Sequence, residues 1–239
     1  MRALFLNTLH DDGTDQILVT GESAHHFIKV LRLKIDEEVL LLNGAGLSAV
    51  SKVASFSKSE MVLSVGERQL KNRNLQVSLA LGLPKKEALE SVIKASGEMG
   101  IKEIIPLETK YSQKLEFNEE RIQRILISSI EQSNNPYLPE FRESMKWSEL
   151  KSLVSSFDET IYFTSQNSPK PPTVSKSLTQ KILIVIGPEG GFSPEEEEAL
   201  QGLQQVSNCH GVKLPLPIMR TPTATCVAMG YIISRLLNN

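Results

Sequence analysis

Short apolar runs separated by turn residues characterise the first 70 positions of the chain. Four runs are typical of strands, at residues 17–19, 39–42, 48–50 and 61–65. The segment Asn43-Gly44-Ala45-Gly46 predicts a hairpin, because Asn and Gly tolerate positive φ angles. Between the first strands, residues 23–33 place Phe27, Val30 and Leu31 on one face of a predicted helix. So many short strands in a small segment predict a small barrel.

From Leu75 onward the pattern changes to an alternation of strands and helices. Strands are predicted at residues 77–81, 104–107, 160–164 and 181–186, and helices at 85–99 and 118–133. The run Lys181–Ile186 is almost continuously apolar, which is typical of a parallel strand covered on both faces. Strand–helix alternation predicts an α/β domain with a parallel sheet. The polar stretch 67–74 reads as a linker, so we expect domains at residues 1–70 and 71–239.

Composition narrows the function only by exclusion. Hydrophobic residues make up 40% and charged residues 23% of the 239 positions, and no apolar run is long enough to span a membrane. Two cysteines without a CxxC motif, and four histidines, indicate neither a disulfide framework nor a metal site. A cytoplasmic location is therefore expected. The net charge of −2 does not mark a nucleic-acid binder, although a modest basic band around residues 68–94 could contact phosphate.

A glycine-rich turn follows the most apolar strand, in the segment GPEGGFSPEEEEAL. Ser193, with Pro194 next and Glu196 three positions later, forms a capping-box pattern that predicts a helix start. Open α/β sheets bind ligands at the carboxyl ends of their strands, so the turn is a candidate binding loop. A plain strand-to-helix turn is the alternative. The segment lacks both common phosphate-loop motifs, and four glutamates would repel a polyphosphate but tolerate a positively charged sulfonium cofactor.

A second unusual segment, VKLPLPIMRTPTAT, leads into the last helix. Pro215, Pro217 and Pro222 remove backbone donors, so a helix can begin only near Thr221 or Thr223. The segment is apolar and stiff, and it carries one positive charge after Lys213, that of Arg220. It either wraps a ligand or crosses a packed core, and Arg220 is either a catalytic group or an ion-pair partner.

At these segments the chain resembles the SPOUT superfamily of methyltransferases, and within it the RsmE-type methyltransferases that modify uridine N3 of 16S ribosomal RNA. The motif IGPEGGFS-x-x-E is matched by Ile186 to Ser193 and Glu196. Three further motifs are matched in family order by the following residues: His25, His26, Val30, Leu31 and Arg32; Glu131, Gln132 and Pro139; Leu214, Ile218, Met219, Arg220, Thr221, Thr223 and Ala224.

The chain departs from the family at several polar positions. Pro215, Pro217 and Pro222 stand where the family has Gly, Arg and Glu, and Asn134-Asn135 replaces a Gly-Arg pair. The cofactor motif is thus better preserved than the groups expected to contact RNA. A paralogue that methylates another RNA site, and a non-catalytic RNA-binding or ribosome-assembly protein, therefore remain alternatives. The chain shows neither the phosphate-binding glycines nor the acidic ribose-binding residue that a Rossmann-like nucleotide enzyme would need.

The resemblance implies a small N-terminal PUA-like β-barrel and a C-terminal α/β domain that ends in a trefoil knot and pairs with a second copy as a homodimer. It implies S-adenosylmethionine as cofactor, 16S ribosomal RNA or the small subunit as partner, and no metal or membrane. The implied cofactor-binding residues are Thr164, Ser165, Ile186, Gly187, Pro188, Glu189, Gly190, Gly191, Leu214, Leu216, Ile218, Met219, Thr221, Thr223 and Ala224. The implied RNA-binding residues are Arg2, His25, His26, Lys29 and Arg32.

Two residues are candidates for a chemical role in methyl transfer. Methylation of a uridine N3 creates negative charge on the base as its proton leaves, and the guanidinium of Arg220 is the candidate group to stabilise it. Glu189 is a weaker candidate for the proton acceptor. Its alternative role, which we favour, is to cap backbone groups of the knot.

Overall fold

The structure is a computed structural model that describes residues 1–164, 180–204 and 208–237. Its described residues fall into two compact units. The first unit contains residues 1–73 and 127–138, and the second contains residues 74–126 and the chain from 139 onward. The helix that spans residues 119–133 thus contributes its second half to the N-terminal unit.

The N-terminal unit is built on a five-stranded sheet with the order β1-β3-β4-β5-β2. Its strands are β1 Arg2–Phe5, β2 Gln16–Thr20, β3 Glu38–Leu42, β4 Leu47–Phe56 and β5 Glu60–Leu70. β1 and β3 run parallel, whereas the other neighbours are antiparallel. The turn between β3 and β4 has positive φ angles at Gly44 and Gly46, as the Asn-Gly signal predicts. Alternate strand residues such as Leu4, Leu41 and Leu63 are fully buried in one core.

The short helical segment of this unit corrects one expectation. Helix α1, Gly21–His25, continues as a π-helical turn, His26–Val30, in which Leu31 N–H donates to the carbonyl of His26 five residues earlier. Phe27 is buried, but Val30 is 61% exposed, so the predicted shared face was wrong for Val30. The wider π turn rotates Val30 away from the side on which Phe27 packs.

Residues 127–138 are tied to the N-terminal sheet by backbone hydrogen bonds. Gly46 N–H donates to Pro136 O at 2.9 Å, and Leu138 N–H donates to Gly44 O at 2.9 Å. The carboxylate of Glu131 accepts the Phe5 N–H at 2.8 Å, and burial raises the pKa of Glu131. Asn134 adopts a φ of +55°, which Asn tolerates better than most residues and which suits the position where the family has Gly.

The C-terminal unit is built on a parallel sheet with the order β12-β10-β11-β6-β7-β8, and β9 also pairs with β7. Its strands are β6 Val77–Gly82, β7 Glu103–Glu108, β8 Glu140–Phe141, β9 Met145–Lys146, β10 Glu159–Phe163, β11 Ile182–Ile186 and β12 Cys209–Val212. Every residue of β6 and β11 is buried, because these strands lie inside the sheet. The predicted parallel α/β domain is confirmed.

Helices connect these strands. They are α2 Lys86–Glu98, α3 Glu119–Ser133, α4 Leu150–Val154, α5 Pro194–Leu203 and α6 Thr221–Leu237, with a 3₁₀ turn at Trp147–Glu149 before α4. The predicted starts of α5 and α6 agree with the structure, since Pro194 opens α5 and Thr221 opens α6. Within the described residues no helix has the length and apolarity to cross a membrane, and no group of three potential metal ligands is found. The trefoil knot stays a prediction.

Candidate active site

Three neighbouring strands of the C-terminal sheet end around one cavity of about 770 Å³. The ends of β10, β11 and β12 supply Phe163, Ile186 and Val212, and the first turn of α6 supplies Thr221 and Ala224. This is the edge at which open parallel sheets bind ligands, because the loops after neighbouring strands diverge there. A volume of this size suits a ligand of several hundred daltons.

We call the loop after β11, residues 187–192, the glycine loop. Its backbone packs so closely against neighbouring atoms that glycines are needed at the points of contact. A Cβ on Gly82, at the end of β6, would lie 2.5 Å from Pro188 Cδ and 2.8 Å from Pro188 N. A Cβ on Gly187 would lie 3.1 Å from the carbonyl carbon of Gly191. Gly191 itself has a φ of +70°, and its N–H donates to Pro188 O at 2.9 Å. The glycines are therefore required by the path of the backbone.

The capping box predicted at the start of α5 is present. Ser193 Oγ accepts the Glu196 N–H at 3.3 Å, and Glu196 Oε2 accepts the Ser193 N–H at 2.8 Å. Glu196 Oε1 also accepts the Lys110 N–H at 2.7 Å, which ties α5 to the loop after β7. The Ser193 hydroxyl, with Lys110, lowers the pKa of the exposed Glu195 to about 2. The start of α5 is thus fixed directly after the glycine loop.

The loop between β12 and α6, residues 213–220, is named here the proline loop, and it is largely exposed. Leu216 and Ile218 are 51% and 94% exposed, yet both line the cavity. The loop does not cross a packed core, so its apolar side chains border the cavity instead. Ala224 N–H donates to Arg220 O at 2.9 Å, which joins the end of the loop to the first turn of α6.

Most of the implied cofactor-binding residues come together around the cavity. They are Thr164, Ile186, Gly187, Pro188, Glu189, Gly190, Gly191, Leu214, Leu216, Ile218, Met219, Thr221 and Ala224. Thr223 is exposed and is not among the lining residues that the structure describes. Ser165 lies outside the described residues.

Arg220 is exposed and is likewise absent from the described lining of the cavity. Within the described ranges it forms no ion pair, so the alternative of a structural ion-pair partner finds no support there. The two neighbours of Arg220, Met219 and Thr221, both line the cavity. Arg220 is therefore an exposed residue that lies between two lining residues in the chain.

Glu189 lines the cavity, and its Oε1 accepts the Lys85 N–H at 3.0 Å, just before helix α2. This hydrogen bond supports the backbone-capping alternative over the role of proton acceptor. The capped N–H is that of Lys85, the residue immediately before α2, and capping of the knot stays a prediction.

Several lining residues were missed by sequence reasoning: Phe163, Phe192, Glu197, Val212, Lys213 and Pro217. Four of them, Phe163, Phe192, Lys213 and Pro217, are next in the chain to a predicted residue, and Val212 ends strand β12, so their positions were the available signal. Glu197 is different, because the acidic run of α5 gave no sign that one of its carboxyls is buried at the cavity. Thr164 Oγ1 donates to Glu197 Oε1 at 2.8 Å, and burial raises the pKa of Glu197.

The implied RNA-binding residues lie in the N-terminal unit. The side chains of His25, His26, Lys29 and Arg32 are on or next to the α1 segment, and all four residues are exposed. Arg2 donates to the carbonyl of Leu31 and lies 4.0 Å from Glu37. Arg2 is thus adjacent to this basic segment.

Comparison with known proteins agrees with this architecture. An RNA methyltransferase domain matches residues 71–233, and an RNA methyltransferase PUA domain matches residues 19–65. The chain is 28% identical over 229 residues to ribosomal RNA small subunit methyltransferase E of Bacillus subtilis, covering 90% of this chain and 88% of that protein. It is 25% identical over 235 residues to the protein of the same name from Rickettsia conorii, covering 96% of this chain and 93% of that one.

A crystal structure of ribosomal RNA small subunit methyltransferase E from Neisseria gonorrhoeae bound to S-adenosyl methionine shares the fold. Its TM-score to the chain is 0.83 at 20% identity, and the match covers 98% of this chain and 97% of that one. The resemblance drawn from the motifs is confirmed by the two domains and by relatives that align over nearly the whole chain. Because the methyltransferase domain alone matches more than half of the residues of the chain, the chain belongs to the RNA methyltransferase family, with a PUA domain N-terminal to the methyltransferase domain.

Proposed function

We propose that the chain transfers a methyl group from S-adenosylmethionine to N3 of a uridine in 16S ribosomal RNA. The observation that carries the proposal is the cavity at the ends of β10, β11 and β12, which gathers thirteen of the fifteen residues that the family resemblance assigns to the cofactor. The aligned relatives are named for the small-subunit RNA substrate. A cytoplasmic location belongs to the same proposal.

The described residues fit the cofactor in charge and in shape. Leu214, Leu216 and Met219 give the cavity an apolar side on which an adenine ring can pack. The glycine loop contributes Gly187, Gly190 and Gly191 to the lining, where no side chain covers their backbone groups. Bound there, the cofactor supplies a methyl group activated by a positive sulfur.

Arg220 is the residue to which we assign stabilisation of the uridine. Its guanidinium stays protonated throughout the reaction and can offset the negative charge that develops on the base as N3 loses its proton. Its exposure at the border of the cavity suits contact with RNA rather than with a small cofactor. Aligning the base and placing a fixed charge beside it are the main contributions that the chain makes.

The N-terminal unit is assigned to RNA binding. RNA is recognised largely through shape, backbone and exposed bases, for which an exposed basic segment is sufficient. His25, Lys29 and Arg32 are exposed, and we assign them to contact with phosphate. A homodimer formed through the C-terminal domain is part of the same proposal, and sedimentation velocity would distinguish it from the 26.5 kDa monomer.

Replacing Arg220 by alanine tests the assignment. We expect Arg220→Ala to keep its affinity for S-adenosylmethionine within about twofold and to lower the rate of methyl transfer by about 100-fold or more, since the lost group acts only on the developing charge. Calorimetry measures the first quantity, and mass spectrometry of 16S RNA incubated with the variant measures the second. Arg124→Ala removes another exposed arginine, located on α3, and is the control.

Three results would contradict the proposal at different levels. Normal transfer by Arg220→Ala removes the arginine from the mechanism. If the wild-type chain binds neither S-adenosylmethionine nor S-adenosylhomocysteine, the non-catalytic RNA-binding alternative is favoured. Methylation at another nucleotide would instead favour a paralogue with a different RNA site.

A further inference from the structure

The acidic run at the start of α5 separates into two pairs with different surroundings. Glu195 and Glu198 are exposed, as expected for residues that only complement the helix dipole. Glu196 and Glu197 are 6% and 5% exposed. Burial of two adjacent carboxyl groups calls for a separate explanation of each, because a buried carboxylate is costly unless other groups compensate its charge.

The burial of Glu196 is explained by the fold. Its two oxygens accept backbone N–H groups of Ser193 and Lys110, at 2.8 Å and 2.7 Å. Glu196 thus closes the capping box and anchors a neighbouring loop.

The burial of Glu197 is not explained in this way. Its Oε1 accepts the Thr164 hydroxyl at 2.8 Å, but its Oε2 is shielded from solvent and has no hydrogen-bond partner among the residues that the structure describes. Within those residues it also forms no ion pair. Buried polar atoms in native proteins almost always have partners, so the buried carboxylate of Glu197 needs an explanation that the described hydrogen bonds do not supply.

Glu197 lines the cavity and is therefore placed to act on what the cavity holds. The other charged residues in the described lining are Glu189, whose carboxylate accepts a hydrogen bond from the Lys85 N–H, and Lys213, which is exposed. A cation in the cavity would favour the ionised form of Glu197 and offset the effect of burial. The carboxylate does not need to touch such a cation, because charges interact over several ångströms in a poorly solvated site.

We propose that Glu197 is a specificity-determining residue whose negative charge makes the cavity prefer the cationic sulfonium donor over its neutral thioether product. This inference rests on the proposed function, since it assumes that the cavity binds S-adenosylmethionine. Methyl transfer removes the positive charge from the sulfur, and the attraction to Glu197 is lost in the same step. Glu197 would thereby help product to leave and a new donor to enter.

The test compares ligand affinities in wild-type protein and in Glu197→Gln. Glutamine keeps the size of the side chain and an oxygen that can accept from Thr164, so that only the charge is lost. Calorimetry on the full chain would measure dissociation constants for S-adenosylmethionine and S-adenosylhomocysteine. We expect the variant to lose affinity for the donor by about tenfold and for the product by about twofold or less. Glu198→Gln makes the same substitution at an exposed position of α5 and should change neither constant.

A second measurement needs no variant and holds even if Glu197→Gln fails to fold. Sinefungin carries an ammonium group in the region where the donor carries its sulfonium, so the wild-type chain should bind sinefungin more tightly than S-adenosylhomocysteine. An unchanged ratio of donor to product affinity in a folded Glu197→Gln, or equal wild-type affinity for sinefungin and the thioether, would overturn the inference and leave the proposed function intact. Absence of binding of all three ligands to wild-type protein would overturn the proposed function itself.

Discussion

The glycine loop and the proline loop border the same cavity, but they are held in place in different ways. The glycine loop is fixed by its surroundings. Pro188 lies against Gly82, Glu189 is bonded to the Lys85 N–H, and α5 begins at once with a complete capping box. Removing any of these contacts should disturb both the fold and the site.

The proline loop is fixed mainly by its own covalent structure. Pro215 and Pro217 restrict φ and cannot donate hydrogen bonds, and Leu216 N–H donates within the loop to Leu214 O at 2.8 Å. Its apolar side chains remain exposed, above all that of Ile218. A stiff loop of this kind can hold apolar side chains in position for a ligand although the fold does not bury them. Substitutions in the two loops should therefore separate effects on stability from effects on binding.

The largest effect is expected at the contact between β6 and the glycine loop. Gly82→Ala would place a Cβ 2.5 Å from Pro188 Cδ and 2.8 Å from Pro188 N, distances that only a backbone shift can relieve. We expect a loss of about 1–3 kcal/mol in the free energy of unfolding and a fall in cofactor affinity. Urea unfolding and calorimetry measure the two quantities.

Gly202→Ala provides the matched control for that substitution. Gly202 lies in α5, and no atom is within 4 Å of the position that its Cβ would take. Alanine should stabilise the helix there by about 0.5–1 kcal/mol. If Gly82→Ala unfolded like Gly202→Ala and bound cofactor normally, the glycine loop would not be held by its surroundings.

A smaller effect is expected at the start of α5. Ser193→Ala removes the side-chain acceptor for the Glu196 N–H, and the loss of such a cap costs about 1 kcal/mol. The control is Ser91→Ala in α2, where the hydroxyl donates to the Glu87 carbonyl inside a helix and caps nothing. Equal unfolding free energies for the two variants, measured in urea, would show that the capping box does not stabilise the glycine loop.

The sequence predicted the parallel α/β domain well, because its signals are local. The apolar run of β11, the capping box of α5 and the proline that follows Thr221 each determine structure within a few residues. The motifs also located most of the cavity lining, since the segments they match follow directly after strands. These parts of the fold depend little on distant contacts.

The parts that the sequence did not predict depend on contacts that are distant along the chain. Strand β12, Cys209–Val212, contains His and Gly and becomes a strand through pairing with β10. Residues 127–138 belong to the N-terminal unit because of hydrogen bonds to Phe5, Gly44 and Gly46. Glu197 is buried because of where α5 packs, which a run of four glutamates does not reveal.

The smallest effect on stability is expected in the proline loop, and it separates the two loops most sharply. Ile218→Ser changes a side chain that is 94% exposed, so the free energy of unfolding should change by less than about 0.5 kcal/mol. Cofactor affinity should nevertheless fall by about three- to tenfold, because a bound ligand would bury part of the isoleucine. Val30→Ser changes another exposed apolar side chain, in the N-terminal unit, and should alter neither quantity. If Ile218→Ser bound cofactor as the Val30→Ser control does, the exposed side chain of Ile218 would have no part in holding the ligand, and the stiffness of the proline loop would not serve to present it.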